Sequence, residues 1–225
     1  IALGLIPRIG DISARKLVAH FGSVEAVFRE SYRTLTNIPG IGPGLAKYIS
    51  DRSYLEAAGK EAEYVTRHNN RTFFYLDHDY PFRLRQCEDS PVVFFFRGNC
   101  DPDSARILSI VGTRSATSRG KELCERIVGD LAAGHPELVI VSGLAYGIDI
   151  TAHKAALNYN LPTIGVLANG LKTIYPSIHR PTAEAMLRNG GLLTDFLHDA
   201  LPERNNFIKR NRIIAGISDA TLIIE

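Results

Sequence analysis

The spacing of apolar positions divides the chain into three stretches. Up to about residue 65 they recur every three to four residues: Leu17, Val18 and Phe21, then, after a break at Phe21-Gly22-Ser23, Val24, Val27 and Phe28. That period puts apolar side chains on one side of a helix, so this part is predicted to be helical, with Ser13 a candidate N-cap. Between 66 and 105 the pattern turns to short aromatic runs. "TFFYL" (72–76) and "VVFFFRG" (92–98) read as strands, with turns at His78-Asp79 and Asp89-Ser90-Pro91. Such runs are more often core than stacking platforms, and core is the expectation here. From residue 106 onward an apolar strand, a glycine loop and a helix alternate. The strands end at Val111 and Val141, then come "PTIGVLANG", "GLLTDFL" and "ATLIIE". Uninterrupted apolar strands separated by helices imply a parallel sheet covered on both faces.

The expected fold class is therefore α/β, a Rossmann-like parallel sheet preceded by a small all-α domain. The parts are 1–65 helical, 66–105 a strand-containing extension joining the two, and 106–225 the Rossmann-like domain. Within the helical part, "LTNIPGIGPGLAKYI" (35–49) places a Gly-Ile-Gly turn between two short helices. It resembles the hairpin of helix-hairpin-helix modules, where glycines let backbone N–H groups approach a phosphate. "IPRIGDISARKL" (6–17) is a weaker copy. Only Lys47 and Arg52 flank the second turn, which favours a plain helix connection over direct DNA contact. The chain starts at Ile1 without a Met and stops on a strand, so a fragment of a longer protein is expected.

Composition narrows the function less than the pattern does. The 225 residues are 45% hydrophobic and 22% charged, with net charge +2. A polyanion site would have to come from local clustering, not from whole-molecule charge. Cys87, Cys100 and Cys124 show no paired ligand spacing and read as reduced thiols of a cytosolic protein, with no metal. No apolar run reaches membrane-spanning length, and no signal-peptide pattern opens the chain.

Local clustering is present. "PERNNFIKRNR" crowds Arg204, Lys209, Arg210 and Arg212 against a following apolar run. In open α/β sheets ligands bind outside the carboxyl ends of the strands. That rule lines "GTRSATSRG", "SGLAYGID", "ANGLKTIYPSIHR" and the residues after "LLTDF" along one edge. The cluster is then expected to share a single groove with Arg114, Arg119, Lys172 and Arg180. The glycine loop is not a clean dinucleotide fingerprint, a Walker A loop is absent, and no G-x-S-x-G surrounds Ser142. Asp149 and His153, four apart, read more simply as a helix-start carboxylate and a helical hydrogen bond than as an acid-base pair. Several cations without a catalytic set suit a repeated phosphate, a nucleic-acid backbone.

"GTRSATSRG", "SGLAYGIDITAHKAAL", "YPSIHR" and "RNRIIAG", in this order, resemble the DNA-processing protein A family (DprA, also called Smf). The match spans about 106–225, and the helical part is similar to the family's sterile-alpha-motif-like domain. The resemblance implies a cytoplasmic, non-enzymatic protein of natural transformation that takes no cofactor. It would bind and protect single-stranded DNA, load the RecA recombinase, and form a homodimer through the Rossmann-like domain. It implies phosphate contacts at Arg114, Arg180, Arg204, Arg210, Asn211 and Arg212. Gly112, Ser142, Gly143 and Gly147 would offer backbone approach. Arg119, Lys172, His179 and Lys209 complete the expected surface. Phe207 either stacks on a base or anchors its segment. His179 stands where the family often has Asn, Arg119 where a Tyr often precedes the glycine, and "LLTD" where the fourth strand commonly ends Ser-Glu. A groove contacting roughly four to six phosphates would give a salt slope of about −3 to −4. Two rivals remain open: a nucleotide-processing hydrolase using Glu184, Asp149 or Asp195, and a scaffold for an acidic protein partner.

Overall fold

The computed structural model covers residues 1–225. Six helices open the chain: α1 (Ala2–Leu5), α2 (Asp11–Phe21), α3 (Val24–Arg29), α4 (Tyr32–Thr36), α5 (Pro43–Ile49) and α6 (Ser53–Arg67). Gly22, at φ 83, ends α2 in the left-handed conformation that a side chain disfavours. Ser23 and Ser31 cap α3 and α4 by accepting from the Ala26 and Thr34 amides. Ser13 is not a cap: α2 begins at Asp11 after Gly10. Asp11 instead spends its carboxylate elsewhere, accepting from the Val92 amide at 2.8 Å. The buried faces, among them Leu3, Leu17, Val27, Leu35 and Ile49, close into one core.

The rest is built on one seven-stranded sheet. Its strands are β1 (Arg71–Phe74), β2 (Val93–Gly98), β3 (Ile107–Gly112), β4 (Val139–Ser142), β5 (Thr163–Val166), β6 (Gly190–Thr194) and β7 (Ala220–Ile224). Their order is β1-β2-β6-β5-β4-β3-β7. β3 to β7 run parallel, as the strand–helix alternation predicts. The aromatic strands β1 and β2 do not form a separate unit. They extend the same sheet antiparallel, with Phe95 opposite Thr194, so the sheet is mixed.

Helices α7 (Phe82–Arg85) and α11 (Arg204–Gly216) cover one face, and α8 (Ser118–Gly134) and α9 (Ile148–Asn158) the other. Ile213 and Ile214 of α11, with Ile217 just after it, pack with Phe94, Phe96, Val141 and Val166. Cys124, Val128, Ile148 and Ala152 pack with Ile110, Ile140 and Ile224. Both faces are buried, which is why the central strands read as continuous apolar runs. Phe73 stacks on Phe94 with ring centroids 4.7 Å apart, so these aromatics are core as expected. Short α10 (Arg180–Met186) packs beside β5 and β6.

Two polar clasps fasten the helical part to the sheet. Glu61 of α6 is buried and accepts from the His198 amide and Nδ1 at 2.9 and 2.6 Å, while Tyr64 stacks between His68 and His198. Arg212 of α11 bridges Asp11 and Asp195 at 3.1 and 2.5 Å. No helix is long and apolar enough to cross a membrane.

Candidate nucleic-acid interface

The loop from β4 into α9, Gly143 to Gly147, sits at the carboxyl edge and is shaped by what surrounds it. Gly147 adopts φ 77, and a Cβ there would run into the Thr113 carbonyl and the Arg114 backbone. This close approach lets the Ile148 amide donate to Thr113 O at 3.2 Å, locking the β3–α8 loop against the β4–α9 loop. Leu144 is buried and left-handed at φ 58, an unusual state for a leucine and one that concentrates at functional sites. Its carbonyl meets His179 Nδ1 at 2.8 Å. His179 in turn packs edge-on against Tyr146 at 5.0 Å, leaving the Tyr146 ring about half exposed at the loop tip.

The basic cluster does not form one groove, because it lies on a helix. At about 100° per residue, neighbours on α11 face different surroundings. Arg210 points inward and is only 3% exposed. Its guanidinium donates to the carbonyls of Gly143 (2.6 Å) and Val166, tying together the carboxyl ends of β4 and β5. A Cβ on Gly143 would meet the ends of both this guanidinium and the Asp149 carboxylate, so a side chain there would displace the pair. Burial lowers Arg210 to about 10, with nearby Asp149 opposing the shift. Burial raises the Asp149 carboxyl, with Arg210 opposing. Arg212 faces the other way, into its clasp with Asp11 and Asp195 and onto the Asp89 carbonyl. Lys209 lies on the same side, in the cleft beneath the helical part. Arg210 and Arg212 are thus parts of the fold, and neither is a free cation.

What the edge presents instead is a smaller group. The Arg114 guanidinium lies over the Phe207 ring at 5.0 Å, and Phe207 meets Tyr175 edge-on at 5.9 Å. Arg210 supports the same ring from 5.9 Å. Gly112, Arg114, Asp149, Phe207 and Asn211 line a cavity of about 290 Å³. It lies where β3 and β7 adjoin, with α8 following β3 on one face and α11 leading into β7 on the other, the switch point at which such sheets bind ligands.

Residues 71–225 match the family model described as DNA recombination-mediator protein A, and 1–59 match a helix-hairpin-helix motif. The chain belongs to the DNA recombination-mediator protein A family. It is 32% identical to the Smf protein of Synechocystis, over 100% of this chain and 57% of that protein. It is 33% identical to a putative DprA of Mycobacterium tuberculosis, over 82% of this chain and 50% of that protein. It therefore spans about half the length of these relatives. The X-ray structure of DprA from Streptococcus pneumoniae superposes with a TM-score of 0.74 at 28% identity, over 96% of this chain and 78% of that one. DNA processing protein A of Helicobacter pylori, solved for its single-stranded DNA binding mode, superposes with a TM-score of 0.60 at 28% identity, over 68% of each chain.

The other residues singled out from the sequence fall into separate surroundings. Arg119 on the first turn of α8, Lys172 in the loop after β5, Arg180 at the start of α10 and Arg204 at the start of α11 are exposed. None of them shares an ion pair with a carboxylate. Ser142 is fully buried and donates to the Ile110 carbonyl at 2.6 Å, so it serves the sheet. Asp149 and His153 share no hydrogen bond. Thr163 Oγ1 donates to Ile140 O, so it accepts from His153 Nδ1–H at 2.7 Å, leaving Nε2 without a partner. Burial holds His153 neutral, lowered to about 3. The carboxylates weighed for hydrolysis lie apart: Asp149 under the glycine loop, Asp195 in the Arg212 clasp, and Glu184 exposed on α10. Sequence reading missed Tyr146 and Tyr175, both about half exposed at this edge. The available signal was a tyrosine in each strand-end loop, one just before a glycine and one before a proline.

Proposed function

We propose that this chain binds single-stranded DNA along the carboxyl edge of its sheet, as part of a protein of natural transformation that protects incoming strands and loads the RecA recombinase. The observation that carries the reading is the exposed Arg114 guanidinium held over Phe207, with Tyr175 beside it at the switch-point cavity. A fixed cation meets a phosphate, and aromatic faces accept unstacked bases, the combination by which proteins hold single strands. Lys172, Arg180, Arg204 and Arg119 supply exposed positive charge around it. The Helicobacter pylori relative's single-stranded DNA binding mode supports the ligand class. The roles in transformation and RecA loading, the cytoplasmic setting and the absence of a catalysed reaction rest on family membership. A homodimer through the Rossmann-like domain rests on the same family membership.

Fluorescence anisotropy of a labelled oligonucleotide across a salt series tests the reading. Wild type should prefer single strands to duplex. Arg114→Ala with Arg204→Ala should weaken binding and reduce the salt slope by about 1.4, at about 0.7 per lost contact. Unchanged affinity and slope in this double variant would overturn it.

A further inference from the structure

Arg114 lines a second cavity on its other side. This one holds about 400 Å³ and opens between α8 and α9, away from Phe207. Its walls carry Lys121 from α8, Lys154 from α9, Tyr146, the bare Gly147 backbone and one carboxylate, Glu125. Three cations against one anion leave it positive. Neither lysine is committed to the fold: both are exposed, and neither makes an ion pair. The N-terminus of α8 is not the anion site. The Thr117 amide and hydroxyl there already donate to the Glu225 carboxylate. An anion in this cavity would then meet the Arg114, Lys121 and Lys154 side chains.

The two cavities differ in chemistry. The switch-point cavity has an aromatic wall and a buried floor, and suits a base. The α8–α9 cavity has no aromatic ring other than Tyr146 at its rim, and suits a phosphate. They share Arg114 as a common wall. We propose that Lys121 and Lys154 form a further phosphodiester subsite, so that a bound single strand passes over Arg114 and continues onto the α8–α9 face. This rests on the edge reading above. It adds a direction to the strand and predicts that the lysines matter only for DNA long enough to reach them.

The test compares Lys121→Ala with Lys154→Ala, a charge-matched control pair Lys16→Ala with Lys60→Ala on the helical part, and Arg114→Ala. Each is titrated with single-stranded oligonucleotides of about 4 and about 16 nucleotides, spanning the usual site sizes. The cavity lysines should leave the short oligonucleotide unaffected. On the long one they should lower affinity about tenfold and reduce the salt slope by about 1.4. The control pair should do neither, and lysine-to-arginine versions should bind as wild type. Unchanged affinity for the long oligonucleotide overturns the subsite. So does an equal loss in the control pair or on the short oligonucleotide, since either would mean general charge removal. Arg114→Ala separates the two readings: loss of the short oligonucleotide supports the edge whatever the lysines do.

Discussion

Arg114 and Arg210 both reach the Phe207 ring, yet they belong to different parts of the molecule's economy. Arg114 stands on a loop beyond a strand end, exposed and without a carboxylate partner. Arg210 stands on the inner side of α11, buried, with its donors spent on two strand-end carbonyls. The first charge is available to a ligand. The second has been used to hold the platform on which the ligand would sit. A basic residue in a binding segment is thus no sign of a binding contact until its environment is known. A loop leaves a cation in water, while a packed helix sorts its cations by direction every 100°.

Replacing Arg210 should give the largest effect. Arg210→Met would leave the Gly143 and Val166 carbonyls unpaired and Asp149 buried without its cation. Breaking a buried charged network of this kind costs about 3–5 kcal/mol, readable by chemical denaturation. A variant that unfolds like wild type would show that Arg210 is not part of the structural core. Acid should also separate the interior from the edge. His153 has its folded value at about 3, below the ordinary 6.5, so its contribution is fully present above pH 6.5 and is lost as pH falls toward 3. The expected slope is about 1.4 kcal/mol per pH unit, and His153→Gln should flatten it. Asp149 works in the opposite sense. Its raised carboxyl favours the folded state as pH falls through the window above its ordinary 3.8, so Asp149→Asn and His153→Gln should bend the profile in opposite directions.

Smaller effects belong to the binding edge. Phe207→Leu keeps the bulk of the side chain but removes the face under Arg114. It should cost about 1–3 kcal/mol of single-strand affinity while leaving the denaturation midpoint near wild type. The smallest effect is expected at Lys209, which lies in the cleft beneath the helical part. Lys209→Ala should change neither affinity nor salt slope measurably. If it behaves like Arg114→Ala, the strand runs along the α11 cleft instead of the switch point.

Much of the architecture was legible. The strand–glycine–helix alternation from residue 106 predicts each of the parallel strands, because burial on both faces leaves an unmistakable apolar run. The helical period to residue 65 and the aromatic core strands were legible for the same reason. The joining of β1 and β2 to the main sheet was not, since an antiparallel edge pairing is a long-range choice that leaves no mark on local spacing. At the site, Arg114 and Phe207 were readable as candidates, whereas their contact was not. In the sequence Tyr146 and Tyr175 are ordinary loop tyrosines, and only the fold brings their two loops to one edge.

By itself the sequence determined that this is an α/β protein with a helical lead, that its glycine loops fall at strand ends, and that its positive charge is local. Those features follow from periodicity and chain stiffness, which act over a few residues. Only the tertiary structure decided which cations are free. That outcome depends on Asp11, Asp89, Asp149 and Asp195 arriving from distant parts of the chain. Charge is fixed by residue type, but its availability is set by desolvation and by partners that packing alone brings within reach.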